Sequence, residues 1–359
     1  MTAALRPELP LGSAAVQPPT TDADAPRGPR PMADDGEAAA RRALAALRPA
    51  YRIGGRQLHV TASAGLVRIP AGGSAAEALR DADMALYAAK TAGRDRLVLF
   101  YPALREALLR RSALADNLRY AIDRRELELA FQPVVELPSG RVVAAEALLR
   151  WRHAGESVSP AQFVPLAEQT GLIVPIGWWA LREACEQAAR WYNSHGVAVT
   201  VNVSAAQLRE PGFADRVLAT LAAAGVPGAA LILEITESIL ITDADAAREV
   251  LQRLRTGGVR VAVDDFGTGY SSLSYLMSLP VDVLKLDRAF VGPEHERRQY
   301  AITGAVLQLA AVLDLVTIAE GVEEEAQARA LTRLGCPLAQ GYLYSTPLPA
   351  SGVDALLAR

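Results

Sequence analysis

The chain has 359 residues, 51% hydrophobic and 21% charged, with a formal net charge of -3. That length suits one α/β barrel of about 250 residues plus a smaller piece, and the charge provides no overall basic field for gripping a nucleic-acid polymer. The two cysteines, Cys185 and Cys336, are far apart and show no CxxC spacing, which points to a reduced protein rather than a disulfide or zinc framework. No stretch offers the roughly 18 uninterrupted apolar residues of a membrane span; the closest, around 301 to 319, is broken by Gln308 and Asp314. The N-terminus lacks the basic-then-apolar order of a secretion signal, so the cytoplasm is the expected location.

Residues 1–36 mix Pro, Ala, Asp and Gly without a sustained period and are expected to form a disordered tail. A helix is predicted from Glu37 to Leu47, ended by Pro49. Gln57 to Val67 reads as a strand, Ser74 to Ala92 as an amphipathic helix ending at Gly93, and Arg96 to Tyr101 as a short strand. Residues 102–125 carry leucines and an isoleucine near helical spacing and read as a long linker helix.

From Glu126 onward, apolar strands alternate with amphipathic helices. The predicted strands are Leu127 to Leu137, Val142 to Trp151, Val197 to Val203, Leu231 to Thr236, Val259 to Asp264, Val283 to Asp287, Val316 to Glu320 and Leu338 to Tyr342. This pattern predicts an α/β fold, a TIM-like (β/α)8 barrel. Only Pro138, Ser139, Gly140 and Arg141 separate the first two strands, too few residues for a parallel crossover, so one barrel strand should run antiparallel.

In such a barrel the ligands converge at the carboxyl ends of the strands. Those ends carry Gln132, Glu146 with Arg150, Asn202, Glu234 with Glu237, Asp264 with Asp265, Lys285 with Asp287, Glu320 with Glu323, and Gln340. One acid at a strand end is ordinary; a group able to bind metal or phosphate on nearly every strand is not. So many carboxylates at one mouth repel each other unless divalent ions compensate, and oxygen-only donors favour Mg2+ or Mn2+. The stretch VAVDDFGTGYSSL at 261–273 concentrates this chemistry, a buried strand opening into two acids, a glycine hinge and a hydroxyl-rich loop. Two ions sharing a bridging Asp suit phosphoester hydrolysis. Lys285 fits a group that orients or deprotonates water or steadies negative charge, and Arg150 fits a phosphate oxygen. The histidines, His59, His153, His195 and His295, fall at unrelated positions and suit packing or surface roles.

Two family resemblances follow. VTASAG and DADMALYAAKTAGRDR resemble the last third of a GGDEF (diguanylate cyclase) domain over about residues 44–101. RIGGR at 52–56 superficially resembles the start of that family's signature turn but lacks both acids and abuts VTASAG. Residues 37–101 are therefore read as a small α+β, truncated and non-cyclising remnant. FQPVV, EALLRW, VNVS, EITES, DDFGTGYSSLSYL, KLD, AEGVE and QGY, all in order over about residues 114–357, resemble an EAL domain, the family of bacterial phosphodiesterases that open cyclic di-GMP to pGpG with Mg2+ or Mn2+.

The resemblance implies that Glu146, Asn202, Glu234 and Asp264 hold one metal ion, with Asp264 bridging to a second near Asp265. Glu320 and Lys285 would position the attacking water, with support from Gln340. Arg150 and Gln132 would contact substrate, Leu148 would pack near a guanine, and Pro347 with Tyr344 would flank a base. Glu237 would pin the DDFGTGYSS loop, and Glu323 and Asp287 would support the site from behind; a homodimer through the EAL domain is also implied. Slight departures from the family pattern, Leu286, Ala289, Tyr344 and Glu324, touch no implied metal ligand. Two rival readings remain: an EAL-type receptor that holds cyclic di-GMP without cutting it, and an unrelated metal-dependent barrel enzyme.

Overall fold

The structure is a computed structural model and describes residues 34–236, 244–266, 279–291 and 297–358. The described residues fall into two units, divided between Asp116 and Asn117.

The first unit opens with a helix over Asp34–Leu47, three residues earlier than its sequence pattern indicates, so Asp34 to Gly36 are helical; the rest of the expected tail lies outside the described residues. The single strand expected over Gln57–Val67 is a misreading. Strands β1 (Tyr51–Ile53) and β2 (Arg56–Leu58) form an antiparallel hairpin, and β3 (Ala64–Leu66) pairs in parallel with β4 (Leu97–Leu99). RIGGR is the hairpin turn, with Gly54 and Gly55 at φ +56° and +79°, backbone that glycine adopts without a steric cost. The chain therefore changes pairing partner inside a stretch whose residue types read as one continuous strand. The crossover helix, Ala75–Thr91, lies directly on β3, and a Cβ at Gly65 would come 2.1 Å from the Ala82 carbonyl oxygen. Only small side chains, Ala78, Ala85 and Ala89, are buried on that helix.

The linker helix expected over 102–125 covers Pro102–Leu118 and then gives way to turns. Those turns, through Arg125 at φ 55°, lead into the barrel. Strand β5 (Leu127–Glu136) is followed by β6 (Val142–His153), β7 (Glu156–Val158), β8 (Ala198–Asn202), β9 (Leu231–Thr236), β10 (Arg260–Phe266), β11 (Val283–Leu286), β12 (Val316–Ala319) and β13 (Leu338–Gln340). Around the barrel the order is β5-β13-β12-β11-β10-β9-β8-β6, and β5 pairs with β6 to close it. β5 is antiparallel to both neighbours and the other contacts within the ring are parallel, as the short hairpin loop of residues 137–141 requires. β7 adds antiparallel to the end of β6 outside the ring, an element the sequence pattern did not indicate.

Alternation along each strand divides the barrel into two apolar surfaces. Leu233, Ile235, Val261, Val263, Leu284 and Leu286 pack outward with the surrounding helices. Val134, Ala144, Ala198, Ile232, Ala262, Val283 and Ile318 meet inside and form an apolar floor. Outside, the helix Ile173–His195 buries Trp191 edge-on to Phe131, with ring centroids 4.9 Å apart, and Trp191 Nε1 donates to Asp354 Oδ1 at 2.6 Å. Trp191 thus joins an outer helix, β5 and the C-terminal helix Ala350–Leu357. Trp191→Ala should lower the unfolding free energy of the barrel by roughly 3–5 kcal/mol, measured by denaturant titration; a loss below about 1 kcal/mol would show that this junction does not hold the wall.

Candidate active site

One step above the apolar floor, the inward positions change character. Two residues beyond each floor residue, and beyond Leu338 packed against the floor, toward the carboxyl end of the parallel strands, stand Gln132, Glu146, Thr200, Glu234, Asp264, Lys285, Glu320 and Gln340. Each comes from a different strand or, for Glu320, the position just after β12. Asn202 is two residues beyond Thr200 on the same face. An apolar floor directly beneath a charged layer keeps water out from below, which strengthens every electrostatic interaction above it.

Lys285 sits at the centre of this layer with no exposed surface. Its Nζ lies 2.7 Å from Glu320 Oε1, 2.9 Å from Glu234 Oε2, 3.2 Å from Asp264 Oδ1 and 3.5 Å from Glu146 Oε2. Burial alone would lower the pKa of this ammonium, but the carboxylates, Asp264 first, hold it well above its ordinary value. Glu146 is the best-supported acid. It accepts from Asn202 Nδ2 at 2.9 Å and from Gln340 Nε2 at 2.6 Å. Burial pushes its carboxyl up, yet the Lys285 charge and these donors outweigh that and leave it below the usual range. Gln340 Nε2 also reaches Gln132 Oε1 at 3.0 Å, and Gln132 Nε2 donates to the Ser345 carbonyl at 3.1 Å.

The remaining acids are held less comfortably. Burial, then repulsion from Glu146, raises Glu234 well above its normal value, and both its oxygens lack a hydrogen-bond partner. Its Oε2 meets Lys285 as a charge contact off the direction of a hydrogen bond. Burial likewise pushes Glu320 up to about 8, and burial with the adjacent Asp264 pushes Asp265 up to about 7.

The placement of Asp265 depends on a local irregularity. Strict alternation would turn it away from Asp264, but β10 shifts register against β11 between Val263 and Phe266, and Asp265 has φ 55°. A bulge of this kind re-aims a side chain. Asp264, Asp265 and Glu320 consequently offer oxygens that all lie within 4.8 Å of one another.

These residues fit a hard divalent cation. Asn202 Oδ1, Asp264 Oδ2 and both Glu234 oxygens are buried and without a hydrogen-bond partner, and the donors are all oxygens. A cavity of about 50 Å³ lined by Gln132, Asp265, Asp287, Glu320 and Gln340 opens beside them, room for a few water-sized bodies. A larger cavity of about 710 Å³ lies outside the barrel, between the helix Ile173–His195 and the helix Phe213–Ala224, and contains none of these acids.

Leu148 and Arg150 follow Glu146 on the inward face of β6 at the mouth, Leu148 buried and Arg150 half-buried. Burial lowers the pKa of the Arg150 guanidinium, while Glu146 and Tyr342 oppose that shift. Tyr344 and Pro347 lie half-buried in the segment that returns to β5, where Leu348 bridges Phe131. Asp287 caps a short helical turn, its Oδ1 accepting from Ala289 N at 2.8 Å, and also lines the small cavity. Glu323 is exposed, with its amide donating to Gln327 Oε1 at 2.8 Å. Glu237 and the loop it would pin, 267–278, lie outside the described residues. Sequence reading missed Thr200, whose buried hydroxyl has no hydrogen-bond partner; counting two residues back from Asn202 would have found it. It also missed the bulge, for which no residue type was a signal.

The crowding has a consequence for stability. Asp265 near 7, Glu320 near 8 and Glu234 all bind protons more tightly in the folded barrel than in the unfolded chain, so between about pH 4 and 8 the folded state carries more protons and stability falls as pH rises. Glu146, shifted down, acts only below its unfolded pKa, and Lys285, shifted up, only above pH 10. Chelator-treated protein should therefore unfold at lower denaturant at pH 8.5 than at pH 6, and a flat or rising trend would refute the assigned crowding.

Comparison with known proteins agrees with this geometry. The EAL domain family matches residues 115–347, and the family described as diguanylate cyclase, GGDEF domain, matches residues 26–96. The chain is 42% identical over 313 residues to the bifunctional diguanylate cyclase/cyclic di-GMP phosphodiesterase MucR of Pseudomonas aeruginosa, covering 86% of this chain and 46% of that protein. It is 38% identical to the cyclic di-GMP phosphodiesterase NbdA of the same organism, covering 84% of this chain and 39% of NbdA. The chain thus spans less than half the length of either relative. Among solved structures, the MucR phosphodiesterase in complex with c-di-GMP superposes with a TM-score of 0.64 at 46% identity, covering 67% of this chain and 99% of that one. With an eight-stranded barrel, one antiparallel strand and an acid layer at the strand ends, this chain belongs to the EAL domain family.

Proposed function

We propose that this chain hydrolyses cyclic di-GMP to linear pGpG with the help of two divalent cations, Mg2+ or Mn2+. The observation that carries the reading is the set of buried, unpartnered oxygens on Asn202, Glu234 and Asp264 beside Glu146. It occurs in a chain 46% identical to a phosphodiesterase solved with c-di-GMP. Glu146, Asn202, Glu234 and Asp264 would hold one ion, and Asp264 with Asp265 a second. When bound, the ions supply Lewis acidity toward a phosphoryl oxygen and lower the pKa of water.

The protein's own residues do the rest. Lys285 keeps its proton among the carboxylates and so acts as a fixed donor and positive charge that orients water. Glu320, 2.7 Å from Lys285, is placed to accept the water proton, with Gln340 holding the network. One water oxygen bonds to phosphorus, the bond from phosphorus to the 3′ oxygen breaks, and the water proton ends on that 3′ oxygen. Arg150 and Gln132 bind the phosphate side, Leu148 packs on a guanine, and Pro347 and Tyr344 flank a base. Glu323 and Asp287 would support the site, and Glu237, outside the described residues, would pin the DDFGTGYSS loop. A homodimer through the segment after Asp265 and a cytoplasmic location complete the proposal. The unit before Asn117 is a non-cyclising scaffold whose Gly54-Gly55 pair is followed by Arg56 rather than acids.

The receptor reading predicts binding without turnover. The five carboxylates and Asn202 together favour turnover, and product analysis decides. With Mn2+, the purified protein should convert cyclic di-GMP to pGpG. Glu146→Ala should reduce the rate by at least about 100-fold. Ca2+, with longer bonds and more ligands, should support little product. Intact cyclic di-GMP after incubation, in protein that binds it, would leave the receptor. Ligation requires ionised acids, so Mn2+ affinity should rise from pH 6 to 8.5 as Asp265 and Glu320 lose their protons. Calorimetry in buffers of different ionisation enthalpy would show proton release at the lower pH; pH-independent affinity would remove the acids from the site.

A further inference from the structure

Asn202 is the one neutral group among the proposed ligands, and its use depends on which way its amide points. Nδ2 donates to Glu146 Oε1 at 2.9 Å, which leaves Oδ1 buried and unpartnered. Unlike an ionised carboxylate, an amide turned over presents a donor instead of an acceptor. The backbone that carries Asn202 is held on both sides. One residue on, Val203 N donates to the Glu234 carbonyl at 2.8 Å, which ties the exit of β8 to β9. Two residues on, Ser204 enters a closed knot with Gln207. Ser204 N and Ser204 Oγ both donate to Gln207 Oε1, at 3.3 and 3.1 Å, and Gln207 N donates back to Ser204 Oγ at 3.2 Å. Both side chains are buried, Ser204 at 3% and Gln207 at 2% exposure.

The knot forms the reciprocal N-cap of a helix only four residues long, Ala205–Leu208. So short a helix has little stability of its own. The Gln207 amide is in turn seated against the helix Ile173–His195, where position 177 is glycine. A Cβ there would come within 2.2 Å of Gln207 Nε2 and 2.3 Å of its Cδ and Oε1. Gly177 therefore makes the space in which the Gln207 side chain lies.

We infer that Gln207, seated on Gly177, is a positioning residue for the metal site: by fixing Ser204 it fixes the turn that presents Asn202 Oδ1. The inference rests on the proposed role of Asn202. It separates acceptor chemistry from bulk, because Glu at the same position keeps the oxygen that receives Ser204 while Leu keeps only the shape. It also gives a remote variant that touches neither ligand nor substrate. Gly177→Ala adds one methyl that pushes on the end of a flexible Gln side chain, and Ala is the better helix former.

The test is a calorimetric titration of wild type, Gln207→Glu, Gln207→Leu and Gly177→Ala with Mn2+ alone, well below each protein's melting temperature, with thermal melts of the chelated proteins alongside. Gln207→Glu should bind Mn2+ like wild type. Gln207→Leu and Gly177→Ala should bind about 10-fold more weakly, and their hydrolysis of cyclic di-GMP should recover as Mn2+ is raised. A purely structural role would lower the melting temperature and leave Mn2+ affinity of the folded protein unchanged, which would overturn the inference. If Gln207→Leu does not fold, wild-type Mn2+ affinity in Gly177→Ala overturns it alone. Wild type that binds no Mn2+ would refute the metal reading itself and this inference with it, a result distinct from equal binding by all four proteins.

Discussion

Five carboxylates and one ammonium share a layer of the barrel from which water is largely excluded, and the imbalance between them governs the chemistry above the floor. Lys285 contacts Glu146, Glu234, Asp264 and Glu320 at once, so one positive charge is divided among four partners. The protein meets the shortfall unevenly. Glu146 receives two amide donors and stays ionised, while Glu234, Glu320 and Asp265 are driven toward protonation by burial and by one another. A buried pair with such incomplete compensation contributes little to stability. Its presence in a barrel whose other inward layer is wholly apolar is the mark of a site kept for function.

The fold delivers this arrangement because a closed barrel converts eight local alternations into one ring. Each strand needs only to place a polar residue two positions after an apolar one. Closure through β5, antiparallel to both neighbours, brings Gln132 beside Glu146 and Gln340, and so links the first and last strands to the acid from β6. The outer helices do more than cover the wall. The helix Ile173–His195 buries Trp191 against Phe131 on one turn and seats Gln207 at Gly177 on another, so the same element supports stability and the exit of β8.

The two units differ in how much they can bury. The barrel has extensive inner and outer apolar surfaces, whereas the unit before Asn117 buries only alanines on its crossover helix and leaves Tyr51, Ile53, Leu58 and Val60 exposed. That contrast accords with placing the proposed chemistry in the EAL domain.

Much of this was legible in the residues alone. Strand period, the short link after β5 and polar groups at successive strand ends pointed to the barrel, its antiparallel strand and most of its inward polar layer, because side-chain direction in a strand is set locally and repeats every two residues. Local rules ended where pairing partners had to be known. They could not divide Gln57–Val67 between a hairpin and a parallel pair, detect β7, or show that the helix from Pro102 stops at Leu118. Only the tertiary structure turned Asp265 back toward Asp264 through a register shift against β11, placed Lys285 among four acids, and set Gln207 in the space left by Gly177. Each of these depends on distances between elements far apart in the chain, which no local pattern encodes.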